Sequence, residues 1–230
     1  MTIAATGFTG AAVEILRQMV SESVTFQKLV KAANAAAALQ KVYAFAEEGD
    51  PDRPFAIVTS EEMKRIGASG GSRTHFHPGG RLFLMLEVPG FWDGTISAAS
   101  TASMFTASGF AGHADDFFNG LNLKFKDGVN VNEERPIADF SGASGLLNIS
   151  GSFTNTPGVG DAFRILPAND GDAFRHYLNI ADALIAEIEA LSGAGGYLNL
   201  TNIVSSDWGR VRVDQGDDYF GGKILVEYGI

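Results

Sequence analysis

From about residue 91 to residue 166 the chain reads as β-structure throughout, while helical periods lie on both sides of that stretch. The pattern is restrictive. The last helix and the two strands after it cannot bury their apolar faces alone, because a lone helix and a lone hairpin are marginal in water. They must complete a sheet begun in the first half of the chain. The expected organisation is therefore an α/β domain from residues 1–89 and 169–230, interrupted by an all-β module at 90–168. The fold class is α+β: a sheet packed by helices, with an inserted small sandwich or barrel.

The flanks support this division. Ala12, Ile15, Leu16 and Met19 recur at helical spacing, with Thr9 placed to cap the start. Thr25 to Ala32 predicts a second short helix, and Asn34 to Leu39 an alanine-rich third. Val42 to Ala46 and Pro54 to Thr59 read as strands. Arg81 to Val88 is apolar on both faces, which predicts a central strand between layers. Past Pro167, residues Phe174, Tyr177, Leu178, Ala181, Leu184, Ile185, Ile188 and Leu191 form one apolar stripe. Asp170 or Asp172 can cap that helix and Gly193 can end it. His176 falls off this stripe and is expected in solvent. Tyr197 to Val204 and Gly221 to Tyr228 predict the closing strands, the second near Arg81 to Val88. Inside the module, strands are expected around 121–125, 135–140, 145–150 and 161–166.

Composition bears on function class. Hydrophobic residues make up 45% of the 230, enough for a real core. The net charge of -10 argues against gripping nucleic acid across the average surface, since phosphate binding needs clustered cations. With no cysteine there is neither disulfide nor thiolate chemistry. No secretory leader or membrane-spanning run is visible, so no membrane partner is expected.

Fragments that imitate catalytic motifs lack the context those motifs need. Gly67-Ala68-Ser69-Gly70-Gly71 has the letters of a serine nucleophile elbow, but no helix is expected after it to aim the hydroxyl. His75 and His77 could share a strand face, yet no third metal ligand has suggestive spacing. Asp214, Asp217 and Asp218 lack the spacing and terminal Glu of a calcium loop. No carboxylate pair stands out for acid–base work. The residues point to a structural or interaction protein without cofactor, metal or catalytic centre.

Two parts of the chain resemble bacteriophage structural proteins. Val24-Thr25-Phe26-Gln27-Lys28-Leu29-Val30 after the opening helix, Arg53-Pro54-Phe55-Ala56-Ile57-Val58, Gly80 to Glu87, Ile180 to Leu191, Tyr197 to Ile203 and above all Asp218 to Gly229 resemble the tail terminator, or tail-completion, proteins of long-tailed phages. Asp115 to Leu123, Arg135 to Phe140 and Pro157 to Ile165 resemble a β module recurring in phage virion proteins. The resemblance implies a small α/β domain in a homo-oligomeric ring, six-fold in common practice. Such a ring caps the tail tube and meets the head connector proteins at the neck of the virion, and DNA passes through its lumen without specific binding. The protein would be made in the host cytoplasm. Head-completion and tail-tube roles are close alternatives. A carbohydrate- or receptor-binding module is a different one, with Phe91, Trp92, Phe117 and Phe118 as its platform.

Residues 67–80 and 205–219 read as two long polar loops. Long structureless loops in a compact domain need a partner to offset the cost of ordering them. Arg73, Arg210 and Arg212 are the candidate cations, and Asp214, Asp217 and Asp218 the candidate carboxylates, for contacts between ring neighbours. Opposite charges on two edges suit head-to-tail closure.

Overall fold

The computed structural model describes residues 8–44, 54–60, 79–99, 101–212 and 218–229; side chains at 8, 9, 79, 99, 206–212 and 218–220 are outside the description. In chain order the elements are α1 (Phe8–Glu22), α2 (Val24–Leu29), α3 (Ala35–Leu39), β1 (Val42–Ala44), β2 (Ala56–Ser60) and β3 (Gly79–Pro89). There follow β4 (Trp92–Ala99), β5 (Met104–Ala107), β6 (Asn122–Phe125), β7 (Glu134–Ser141), β8 (Leu146–Ile149) and β9 (Ala162–Leu166). The chain ends with α4 (Asp170–Leu191), β10 (Asn199–Arg212) and β11 (Asp218–Gly229). It divides into two compact units. One holds residues 1–87, 184–209 and 221–230; the other holds 88–183 and 210–220.

The first unit is built on a five-stranded sheet of order β1-β2-β3-β11-β10. β1 and β2 are parallel (Val42↔Ala56), and β2 and β3 antiparallel (Ala56↔Leu86, Ser60↔Leu82). β3 is thus central, third of five, and lies beside the last strand. Leu82, Leu84 and Leu86 point to the buried face with Ala56, Val58, Ile224 and Val226. Phe83 and Met85, on the opposite face, are half-buried, and the Lys223 ammonium sits 3.8 Å from the Phe83 ring centre. α1 packs on β1 and β2 through Ala12, Val13, Leu16, Met19 and Val20, the i, i+1, i+4, i+7, i+8 stripe of an amphipathic helix.

The breaks between helices have identifiable caps. Ser23 adopts an extended conformation, and its hydroxyl accepts from the Phe26 amide at 3.0 Å to start α2. The same hydroxyl donates to Glu187 of α4, whose carboxylate also accepts from the Thr25 amide (3.1 Å) and hydroxyl (2.8 Å). Lys31, at φ 54, follows the end of α2, so the second helix is shorter than its apolar pattern predicts. Asn34 caps α3. Ser23→Ala removes a cap and one partner of Glu187, and is expected to lower the unfolding free energy by about 1–2 kcal/mol, read by urea titration. Unchanged stability would mean that solvent serves the Phe26 amide equally well.

The second unit is a closed barrel of order β4-β5-β8-β7-β6-β9, in which β9 also pairs with β4 and every neighbouring pair is antiparallel. Phe105, Phe125, Phe163, Leu123, Leu147 and Ile165 fill its interior with no exposed surface. β4 and β5 are additional to the strands legible in the sequence. Gly94 is one reason. A Cβ there would lie 2.5 Å from Phe110 and 2.6 Å from Phe163, so β4 has no side chain between Trp92 and Ile96 where an alternating pattern needs one.

Three boundaries differ from expectation. The first half of α4 belongs with the barrel unit, because Ala173, His176 and Tyr177 are buried there. Asn169, and neither Asp170 nor Asp172, caps α4: its side-chain oxygen accepts from the Gly171 and Asp172 amides at 2.9 and 3.1 Å. Residues 205–212 and 218–219 are not loop but the continuations of β10 and β11, and 79–80 begin β3. Val211, Tyr219 and Phe220 suit a strand, and a hairpin can extend on backbone pairing even where polar residues alternate.

Candidate functional site

None of the six interface candidates has a described side chain. Arg73, Asp214 and Asp217 lie outside the described residues, as do Ser69, His75 and His77. Arg210 and Arg212 sit on β10, and Asp218 opens β11. Whether these charges meet lies outside the described side chains. Among the described residues no group of three or more His, Asp or Glu could hold a metal ion, and no helix is long and apolar enough to cross a membrane.

What the structure does assemble is an aromatic seat for α4 on the barrel unit. Residues 108–121, between β5 and β6, carry Phe110, His113, Phe117 and Phe118. Four backbone anchors hold this segment: Gly112 amide to Gly142 carbonyl (2.7 Å), Gly142 amide to the Asp115 carboxylate (2.7 Å), Asp116 amide to Phe140 carbonyl (2.9 Å) and Gly120 amide to Ile137 carbonyl (3.0 Å). His176 of α4 meets Trp92 edge-on at 4.7 Å and Phe117 at 4.9 Å. His113 stacks on Phe117 at 4.5 Å, and Phe118 packs beneath at 5.6 Å from Trp92 and 4.9 Å from Phe140.

His176 is only 5% exposed, which corrects its expected place in solvent. The buried stripe of this part of α4 is Ala173, His176, Tyr177, Ile180, Ala181, whereas Phe174 is 39% exposed. Tyr177, Ala181, Leu184 and Ile188 of the expected stripe are buried, but a histidine scores as polar, so the pattern counts the apolar Phe174 in the stripe and leaves out His176, at i+3 from Ala173. Nε2 of His176 has no hydrogen-bond partner among the described residues. Burial holds the imidazole neutral and drives its pKa down to about 3, with the nearby His113 acting in the same direction.

Trp92 is 6% exposed and Phe118 fully buried, and Phe91 lies under the Arg164 guanidinium at 3.5 Å. Trp92 and Phe118 are therefore core residues, while Phe91 and Phe117 are half-buried and packed against Arg164 and His113.

On the outer face of the barrel, Arg164 of β9 grips Asp93 of β4 in a two-pronged pair, Nε to Oδ1 at 2.8 Å and Nη2 to Oδ2 at 2.9 Å. Lys126 stands 3.5 Å from the same carboxylate. The hydrogen bonds from Arg164 hold the Asp93 carboxyl below the usual range. Beside the pair is a shallow groove of about 410 Å³, lined by Asp93, Thr95, Ser108 and Lys126 together with Phe163. It contains neither an activated nucleophile nor a pair of free carboxylates, and its charges satisfy one another. No protein-family model matches the chain, and no curated protein sequence matches it significantly.

Proposed function

We propose that this chain is a structural protein of a long-tailed bacteriophage, one subunit of a homo-oligomeric ring at the neck that terminates the tail tube and joins it to the head connector. The observation that carries the reading is a partition. Apart from residues 180–183 and 218–220, which go with the barrel unit, the segments that resemble tail terminators fall on the five-stranded sheet and its helices, and those that resemble the virion β module fall on the barrel strands and the segment before β6. The mechanism is steric and electrostatic. A ring stops addition of tube subunits and offers the connector a docking face. A net charge of -10 suits a lumen through which DNA slides, because adhesion needs cations along its path.

Light scattering and negative-stain imaging of the purified full-length chain test this. The expected result is a closed ring, six-fold, with an open centre. Reversing Asp217 and Asp218 to Lys is expected to block closure and leave the subunit's melting temperature nearly unchanged. A chain that stays monomeric at high concentration, alone and with tail tubes present, sinks the ring reading. If rings close normally in the reversed variant, Asp217 and Asp218 are not at the subunit interface.

A further inference from the structure

We propose that the seat of His176 is an acid-released latch: when its imidazole takes a proton, the first half of α4 (residues 170–183) leaves the barrel while the barrel stays closed. The geometry supplies both parts of the device. The imidazole is enclosed by Trp92, Phe117 and Phe118, with a buried Nε2 that can accept a proton but has no hydrogen-bond partner among the described residues once it carries one. Release moves the charge into water.

The described residues around the ring offer no counter-charge. On the 108–121 segment the titratable group that bears on the ring is His113, whose charge opposes a second one on His176. Asp115 on that segment is bonded to the Gly142 amide and Asp116 to Asn119. On β4, Asp93 is held by Arg164. On β7, beyond Phe118 and Phe140, Asp139 is exposed. On α4 itself, Asp172 is engaged by Arg175 and Asn169, and Asp170 and Asp182 are exposed. No carboxylate is recorded against the ring among the described residues.

The release is local because the barrel does not need α4 to close: its six strands pair all the way round, and its interior phenylalanines lie on its own strands. Above about pH 6.5 the imidazole is neutral whether seated or released, and pH has no effect. Below that, the released helix binds a proton that the seated one refuses. Each further pH unit favours release about tenfold until the seated imidazole itself titrates. Between pH 6.5 and 4.5 the ratio of released to seated therefore shifts roughly fiftyfold.

The test is a pH titration of the full chain carrying Trp208→Phe, so that Trp92 alone reports by fluorescence, with amide hydrogen exchange measured at each pH. The expected result is a reversible change in Trp92 emission on acidification below about pH 6.5, with protection lost at 170–183 and kept in β6 to β9. In His176→Phe that transition should disappear. A transition that persists unchanged in His176→Phe assigns the acid response to other groups and overturns the proposal. Should that variant not fold, the parent chain decides: protection at 170–183 that survives to pH 4, or that fails together with the barrel, also overturns it.

Discussion

Gly142→Ala is expected to destabilise the barrel unit by at least about 3 kcal/mol and to leave much of the protein insoluble. Gly142 closes the segment 108–121 onto the end of β7. A Cβ built there lies 1.9 Å from the His113 carbonyl oxygen and 2.9 Å from its carbon, well inside contact distance. The obstacle is backbone, not a side chain that can swing aside. To make room the segment must lift, and lifting it strains the Gly112–Gly142 and Gly142–Asp115 hydrogen bonds, both 2.7 Å. The φ of Gly142 is not in the left-handed region, so space alone demands glycine here. Urea unfolding of the variant against Ser144→Ala, a change at a nearby exposed position, is the measurement. A midpoint for Gly142→Ala within error of the control would mean that the segment yields without cost.

Phe118→Ala is expected to cost about 3–5 kcal/mol, as for other fully buried phenylalanines. Phe118 has no exposed surface and is the ring on which the others converge: Trp92, Phe110, Phe117 and Phe140 lie between 4.8 and 5.6 Å from it. Removing it leaves a void bordered by rings that hold one another in place, so collapse recovers little of the lost contact. There is a second readout. If the void admits water toward His176, the imidazole is less desolvated and its pKa rises from about 3 toward 6.5. Stability should then fall less steeply on acidification than in the parent chain. Phe118→Leu, which fills more of the space, should cost less. Equal destabilisation by leucine and alanine would show that ring geometry matters more than volume.

Much of the architecture was legible because it depends on local pattern. The doubly apolar run of β3 and the periods of α1 and α4 are properties of neighbouring residues. Their neighbours in sequence dictate helix and strand. The return of the chain to the first sheet was also legible, since an apolar helix and two strands without a core must find one. The α+β class and a β module between the flanks follow from this.

The closed barrel, the identity of its first two strands and the aromatic seat were decided only in three dimensions. β4 hides its alternation behind Gly94, whose missing side chain makes sense only beside Phe110 and Phe163. Gly142 looks like any turn glycine until the His113 carbonyl arrives from twenty-nine residues away. His176 reads as a solvated helix residue because hydropathy assigns an imidazole to water, whereas its protonation state answers to whatever packs around it. Trp92, Phe117 and Phe118 come from two segments distant from α4 in the chain, and together they strip the ring of solvent and hold it neutral. Secondary structure is set by neighbours a few residues apart and can be read along the chain. Burial and pKa are set by neighbours in space, and only the fold supplies those.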